Sequence, residues 1–223
     1  MKIKLQGLPE ISLLGATEIK HVYEKIKLPD ELKKTFNSAL SIGYTLSRQI
    51  LNTLVDGPNQ IYYFHYQRVN TLLDMSALKI SAFLQEAGFE AFPVPASQVI
   101  DWQKMEGAVP HRDVAIASGL AWHGKNNLAV NPLYGSCVRY ATILTDAPYE
   151  EIELPRGNSA KNWGCGECKE CIVACPAGAI GNSPEDFKIE LCIKKLKEFQ
   201  KERNISQMVC GMCIKFCKGE NRS

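Results

Sequence analysis

Residues 165–176 read CGECKECIVACP. Cys165, Cys168, Cys171 and Cys175, with Pro176 after them, match C-x2-C-x2-C-x3-C-P without deviation, a run that ligates [4Fe–4S] clusters. In two-cluster proteins the first three thiolates of such a run hold one cube and the fourth crosses to the other. The reason is geometric: a tight loop presents three sulfurs to adjacent corners, and the chain then leaves as a helix that aims the fourth elsewhere. A second run, CGMCIKFC at 210–217, keeps only the x2 and x3 spacings and so lacks its first cysteine. Cys192 is available to supply it. The expected sets are Cys165, Cys168, Cys171 and Cys217 for one cluster, and Cys175, Cys192, Cys210 and Cys213 for the other. Zinc also takes four thiolates at C-x2-C spacing, but seldom three at x2, x2 followed by x3 and proline.

Nine cysteines stand among 223 residues, and eight of them fall between 165 and 217. With no export signal in MKIKLQGLPEISLLG, which Gly7, Pro9 and Glu10 interrupt, that crowding favours metal ligation over a disulfide framework. The ninth, Cys137 in GSCVRY, reads as a packed small hydrophobe. Apolar residues make up 45% and charged residues 22%, an ordinary globular composition. A net charge of +2 demands neither nucleic acid nor an acidic membrane as partner. No apolar run approaches the roughly 18 residues of a membrane span. The expectation is a cytoplasmic chain without membrane contact.

Upstream, the first 160 residues alternate between helical and strand patterns. Pro58 and Gly88 bracket a segment, 59–87, whose Ile61, His65, Val69, Leu72, Leu73, Ile80, Phe83 and Leu84 recur near helical spacing. SALSIGYTL before it and FEAFPVPA after it read as strands. HRDVAIASGLA reads as a helix ending near Gly119; NNLAVNP and GSCVRYATILTD read as strands around a turn at 132–135. PRGNSAKNWG is polar and rich in breakers, a linker. The expected fold class is α+β, with a cofactor domain over 1–157 and a small two-[4Fe–4S] module over 158–223.

Between Gly119 and Glu150 the chain reads GLAWHGKNNLAVNPLYGSCVRYATILTDAPYE, and the cysteine tail follows. Here the sequence resembles the epoxyqueuosine reductase family, whose pattern runs approximately A-G-L-G-W-x-G-K-N-x-L, P-x-Y-G-S, L-T-D and then the cysteines. Gly119, Leu120, Trp122, Gly124, Lys125, Asn126, Leu128, Pro132, Tyr134, Gly135, Ser136, Leu144, Thr145 and Asp146 fall on it, and Ala121 replaces a glycine. The match is good over roughly 110–217 and loose before that. It implies a nitroreductase-like, cobalamin-binding domain, shared with respiratory reductive dehalogenases, followed by a bacterial ferredoxin-like module. By the same resemblance Trp122, Gly124, Lys125, Asn126, Tyr134, Gly135 and Ser136 are candidate cofactor-binding residues. The implied cofactor is a corrinoid bound without a protein imidazole under the cobalt; a flavin, or no cofactor, are the alternatives.

Two departures bear on function. The family carries a catalytic Asp just before the helix that starts here at His111, and Met105 stands in that place, with Glu106 and Asp101 nearby. Full-length members also continue into a helical-repeat extension that helps hold tRNA, whereas this sequence ends at Ser223. Both argue against tRNA as substrate. Of four histidines, His21, His65, His111 and His123, the last two flank the matched stretch. They are the candidate proton donors, with Glu106 beside them, or else they bond at helix ends. Lys125 would meet a phosphate or amide of a cofactor, or pair with a surface carboxylate. Tyr62, Tyr63, Phe64 and Tyr66 would pack in the core or stack on a macrocycle. Lys194, Lys195, Lys197, Lys201 and Arg203 form a basic stripe beside Cys192, a solvated face or one that steers an acidic donor such as flavodoxin or ferredoxin. Together these imply an iron–sulfur oxidoreductase passing electrons through two clusters to a corrinoid or small-molecule acceptor. The alternatives are a ferredoxin-type electron carrier and a corrinoid-reducing protein without its own substrate chemistry.

Overall fold

The computed structural model describes residues 3–4, 11–101, 105–153 and 164–220. In chain order the strands and α-helices are β1 (Ile3–Lys4), β2 (Leu13–Glu18), α1 (Asp30–Lys33), β3 (Ser38–Thr45), α2 (Arg48–Asn52), α3 (Gln60–Glu86), β4 (Ala91–Val94), α4 (His111–Ala117), β5 (Trp122–His123), β6 (Ala129–Val130), β7 (Val138–Thr145), β8 (Ile152–Glu153), α5 (Glu170–Val173), α6 (Ile189–Glu202) and α7 (Met212–Phe216). These pack as two compact units, each discontinuous in sequence. The first takes 1–44, 70–120 and 139–161; the second takes 45–69, 121–138 and 162–223. Residues 164–220, the described part of the stretch expected as a module of its own, thus pack with 45–69 and 121–138. The expected boundary at 157 and the linker up to Trp163 lie outside the described residues.

The first unit is built on a four-stranded sheet of order β2-β3-β7-β4, with β2 antiparallel to β3 and β4 antiparallel to β7. Its core gathers Ile19, Val22, Ile26, Phe36, Ala39, Val94, Val109, Val114 and Leu144. Leu73, Ala77, Ile80 and Leu84 of α3 are buried at i, i+4, i+7 and i+11, the apolar stripe of an amphipathic helix. Its start lies where the sequence puts it, but Asn59 does the capping: its Oδ1 accepts from the Tyr62 amide at 2.9 Å. Its end meets Gly88 at φ 90°, the left-handed conformation that stops helices.

β2 has no counterpart among the sequence expectations, because LLGATE is short and Gly15 reads as a breaker. The glycine has a packing reason. A Cβ there would stand 2.9 Å from Leu120 Cγ and 3.0 Å from Ser118 Cβ, so the end of α4 lies against the strand.

In the second unit the helices α5, α6 and α7, the β5–β6 hairpin and the short α2 surround the cysteines. Among the described residues no helix is long and apolar enough to cross a membrane.

Candidate functional site: two thiol-lined cavities

α5 and α7 are helices of four and five residues that pack against each other. Cys171 lies on α5 and Cys175 just beyond it; Cys213 lies on α7 and Cys217 at its C-cap. Each helix therefore carries one thiol toward either of two cavities. The larger, about 830 Å³, is lined by Cys165, Cys168, Cys171 and Cys217. The smaller, about 220 Å³, is lined by Cys175, Cys192, Cys210 and Cys213. The linings group the eight cysteines four and four, in the combinations expected as ligand sets; ligation itself is a proposal.

Burial pushes the Cys171 thiol up to about 11, and the neighbouring Cys217, Cys165 and Cys168 push the same way. Burial likewise raises Cys210 to about 11, with Cys192 and Cys175 adding to it, and raises Cys213 well above the ordinary thiol range. Thiols such as Cys171, Cys210 and Cys213, whose ionisation is opposed by desolvation and by the neighbouring thiols, need a cationic centre to become thiolates. Donors to sulfur are already in place. Trp122 Nε1–H donates to Cys165 Sγ at 3.4 Å, and the Ala179 amide donates to Cys175 Sγ at 3.4 Å. Among the described residues no three His, Cys, Asp or Glu side chains close on a common point as a single ion requires; the thiols stand around cavities instead.

The walls of the larger cavity are held by cations that bond backbone carbonyls. Lys125 Nζ donates to Gly166 O at 2.7 Å and to Cys168 O at 3.1 Å. This is a third use of the ammonium beside the two expected for it. The guanidinium of Arg48 donates to Cys217 O at 2.9 Å, Tyr134 O at 3.0 Å and Lys215 O at 3.2 Å. Lys215 Nζ in turn donates to Leu54 O at 2.6 Å. Gly135, at φ 63°, lets the last ligand loop pass: a Cβ there would lie 2.2 Å from Cys217 O. Gly124 is equally confined, with Val130 Cγ2 2.3 Å from a Cβ position. Asn126 Nδ2 donates to Ser136 Oγ at 2.7 Å, joining two of the motif residues to each other. Tyr134 is 37% exposed. So Trp122, Lys125 and Gly135 of the expected cofactor-binding group touch the cysteine loops directly.

The proposed proton donors are divided between the units. His111 and Glu106 lie in the first, His123 in the second. Both nitrogens of His111 are engaged: Nε2–H donates to Pro95 O at 2.8 Å and Nδ1 accepts from Thr142 Oγ1 at 2.8 Å. Burial drives its pKa down to about 4, and Arg139 pushes it the same way. His123 Nε2 donates to Asn127 Oδ1 at 2.8 Å. Glu106 sits opposite Asp101 in a bridge whose turn includes Met105 at φ 55°, and its carboxylate lies 3.8 Å from Lys27. Of the aromatic cluster, Tyr62 and Tyr63 are buried and Phe64 is 54% exposed. Cys137 is buried and its Sγ–H donates to Leu46 O at 3.3 Å. Arg48, Lys215 and Ala179 escaped the sequence reading; their partners are backbone and sulfur atoms, which leave no residue-type signal at the donor position.

The structure is thus a mixed α/β chain with two four-thiol cavities in its second unit. No protein-family model matches it. Over 95 residues it is 36% identical to the epoxyqueuosine reductase of Listeria monocytogenes, a stretch covering 41% of this chain and 24% of that protein. Over 137 residues it is 28% identical to a tetrachloroethene reductive dehalogenase of Desulfitobacterium hafniense, covering 60% of this chain and 23% of the relative. Its fold superposes on a solved reductive dehalogenase with a TM-score of 0.68 at 16% identity, over 93% of this chain and 30% of that one. The epoxyqueuosine reductase of Streptococcus thermophilus superposes with a TM-score of 0.58 at 17% identity, over 96% and 64%. In sequence the chain is similar to epoxyqueuosine reductases and to a reductive dehalogenase, and it shares the fold of both. The matched stretches span about a quarter of these curated relatives' length.

Proposed function

We propose that this chain is an iron–sulfur oxidoreductase whose two cysteine sets hold two [4Fe–4S] clusters in a bacterial ferredoxin-like module. The observation that carries the reading is the four-and-four division of cysteines between two cavities, each set combining residues distant in sequence. The donor chemistry suits soft iron–sulfur ligation, and the N–H donors at Cys165 and Cys175 suit thiolate ligands. Bound clusters of this kind would store and pass single electrons. The chain's own part is to orient eight thiols, to shield them with Trp122 and the α6 face, and to fix the loop carbonyls with Lys125 and Arg48. Electrons would come from a donor protein.

A corrinoid acceptor in a nitroreductase-like front domain over 1–157 is the finer form of this proposal. In its favour, one solved relative is described as suggesting a mechanism for B12-dependent dehalogenation. Against assigning it to the motif residues, Trp122, Lys125 and Gly135 meet the cysteine loops, and Asn126 and Ser136 bond each other. The competing reading is an electron carrier or corrinoid-reducing protein without its own substrate chemistry. Met105, standing where the family carries its Asp, argues against reduction of epoxyqueuosine in tRNA.

The test is an anaerobic reductive titration followed by optical and EPR spectra, with and without added cobalamin. Two reducible centres and a cobalt signal that changes as they are reduced are expected for the corrinoid form. Reducible centres that ignore cobalamin would leave the carrier reading in its place.

A further inference from the structure

α6 has a second face that ligation does not use. Ile189, Cys192 and Leu196 line the smaller cavity, and Phe199 on the same side is buried. Lys194, Lys197 and Lys201, at i, i+3 and i+7, share the opposite side and are exposed. Their cationic neighbours are tied: Lys195 pairs with Glu198 at 2.5 Å and Arg203 with Asp56 at 2.7 Å. Among the described residues neither Lys197 nor Lys201 has an ion pair. Residues 188–203 hold six cations and three carboxylates, a local +3 against +2 for the whole chain. On the flanks Ile189 is 39% and Leu191 40% exposed.

A row of exposed lysines with one half-exposed apolar side chain on either flank, about one helix diameter (~10 Å) from a thiol-lined cavity, has the make-up of a transient redox interface. The charges steer and orient an oppositely charged partner, and the apolar contact holds it briefly. Resting on the iron–sulfur reading above, we infer that the lysine face of α6 docks an acidic one-electron carrier protein. The reduced carrier would give up one electron to a centre that Cys175, Cys192, Cys210 and Cys213 would hold, with no atom exchanged. Nucleic acid suits the face less well. The exposed lysines form one short row, too few to follow a long phosphate backbone, and Phe199, the helix's one aromatic residue, is buried and unable to stack on a base.

The test is calorimetric titration of oxidised flavodoxin, an acidic flavoprotein carrier, into the full chain at about 0.02 M and about 0.2 M salt. Wild type is compared with K194E/K197E/K201E and with the neutral K194Q/K197Q/K201Q. Binding at low salt is expected, weakened at least tenfold by the higher salt and at least tenfold by the charge reversals, with the neutral variant between. No binding, equal affinity of the three proteins, or a tRNA stem-loop held by these lysines in preference to flavodoxin would each overturn the docking face. Iron content, measured on the same samples, reports on the cluster reading separately. Iron-free protein that binds flavodoxin through the lysines would sink the clusters and keep the face; iron-loaded protein that ignores flavodoxin would do the reverse.

Discussion

At Gly135 the chain has no room for a side chain, because the carbonyl carbon of Cys217 would lie 2.6 Å from a Cβ and its oxygen closer still. Gly135→Ala must move the ligand loop and also accept a left-handed backbone, so a loss of about 2–4 kcal/mol is expected by denaturant unfolding, together with poorer iron retention. His111 makes a different prediction. Its folded pKa of about 4 lies below the usual 6.5, so between those values the unfolded chain binds the extra proton and stability falls as pH falls. Between pH 7 and pH 5 the wild type should lose about 2 kcal/mol that His111→Gln does not lose, measured by urea unfolding at both pH values. Met105→Asp should cost nothing in stability, since Asp tolerates the left-handed conformation that Met105 adopts at φ 55° better than Met does. A drop of more than about 1 kcal/mol would contradict that. Single residues were the least legible part of the site. The family pattern marks Lys125 and Gly135, yet their partners are carbonyls of a loop 41 or more positions away, and backbone acceptors look alike in every sequence.

Among the elements, the cysteine helices were legible because cysteine spacing is local: x3 before a fourth cysteine is one helical turn, which carries that thiol about 6 Å along the axis to the helix end and so to the other cavity. The long helix α3 was legible for a similar reason, its apolar stripe running for about three turns from Leu73 to Leu84, although Ile61 and Phe83, expected on that stripe, are exposed. What holds the elements together was not. Arg48, at the start of α2, reaches Cys217 across 169 positions of sequence. Arg48→Ala strands three carbonyls and should cost about 2–4 kcal/mol, with Arg48→Lys recovering only part of it, since an ammonium presents its donors from one nitrogen and cannot span acceptors that Arg48 meets from two. Unfolding midpoints and iron retained after gel filtration check both variants. Phe199 seats α6: its ring lies 2.7 Å from where a Cβ on Gly57 would be. Truncation to Ala should cost about 3–5 kcal/mol, whereas the lysines on the outer face should each cost under about 0.5 kcal/mol.

For the whole molecule, the sequence separates a front domain from a cysteine tail, but the folded chain groups 45–69 and 121–138 with the tail. Linear composition cannot reveal this, because the segments that join the tail are ordinary mixed helix and strand, chosen by what they pack against. The matched family stretch from Trp122 to Ser136 lies inside that second unit, around the thiols. That arrangement makes the ligand sets the central claim, and one measurement bears on it directly: iron and acid-labile sulfide per chain in anaerobically purified protein. About eight of each is predicted, falling to about four when Cys175, Cys192, Cys210 and Cys213 are replaced together by serine. Far fewer than eight in the wild type, or stoichiometric zinc in their place, would contradict the account.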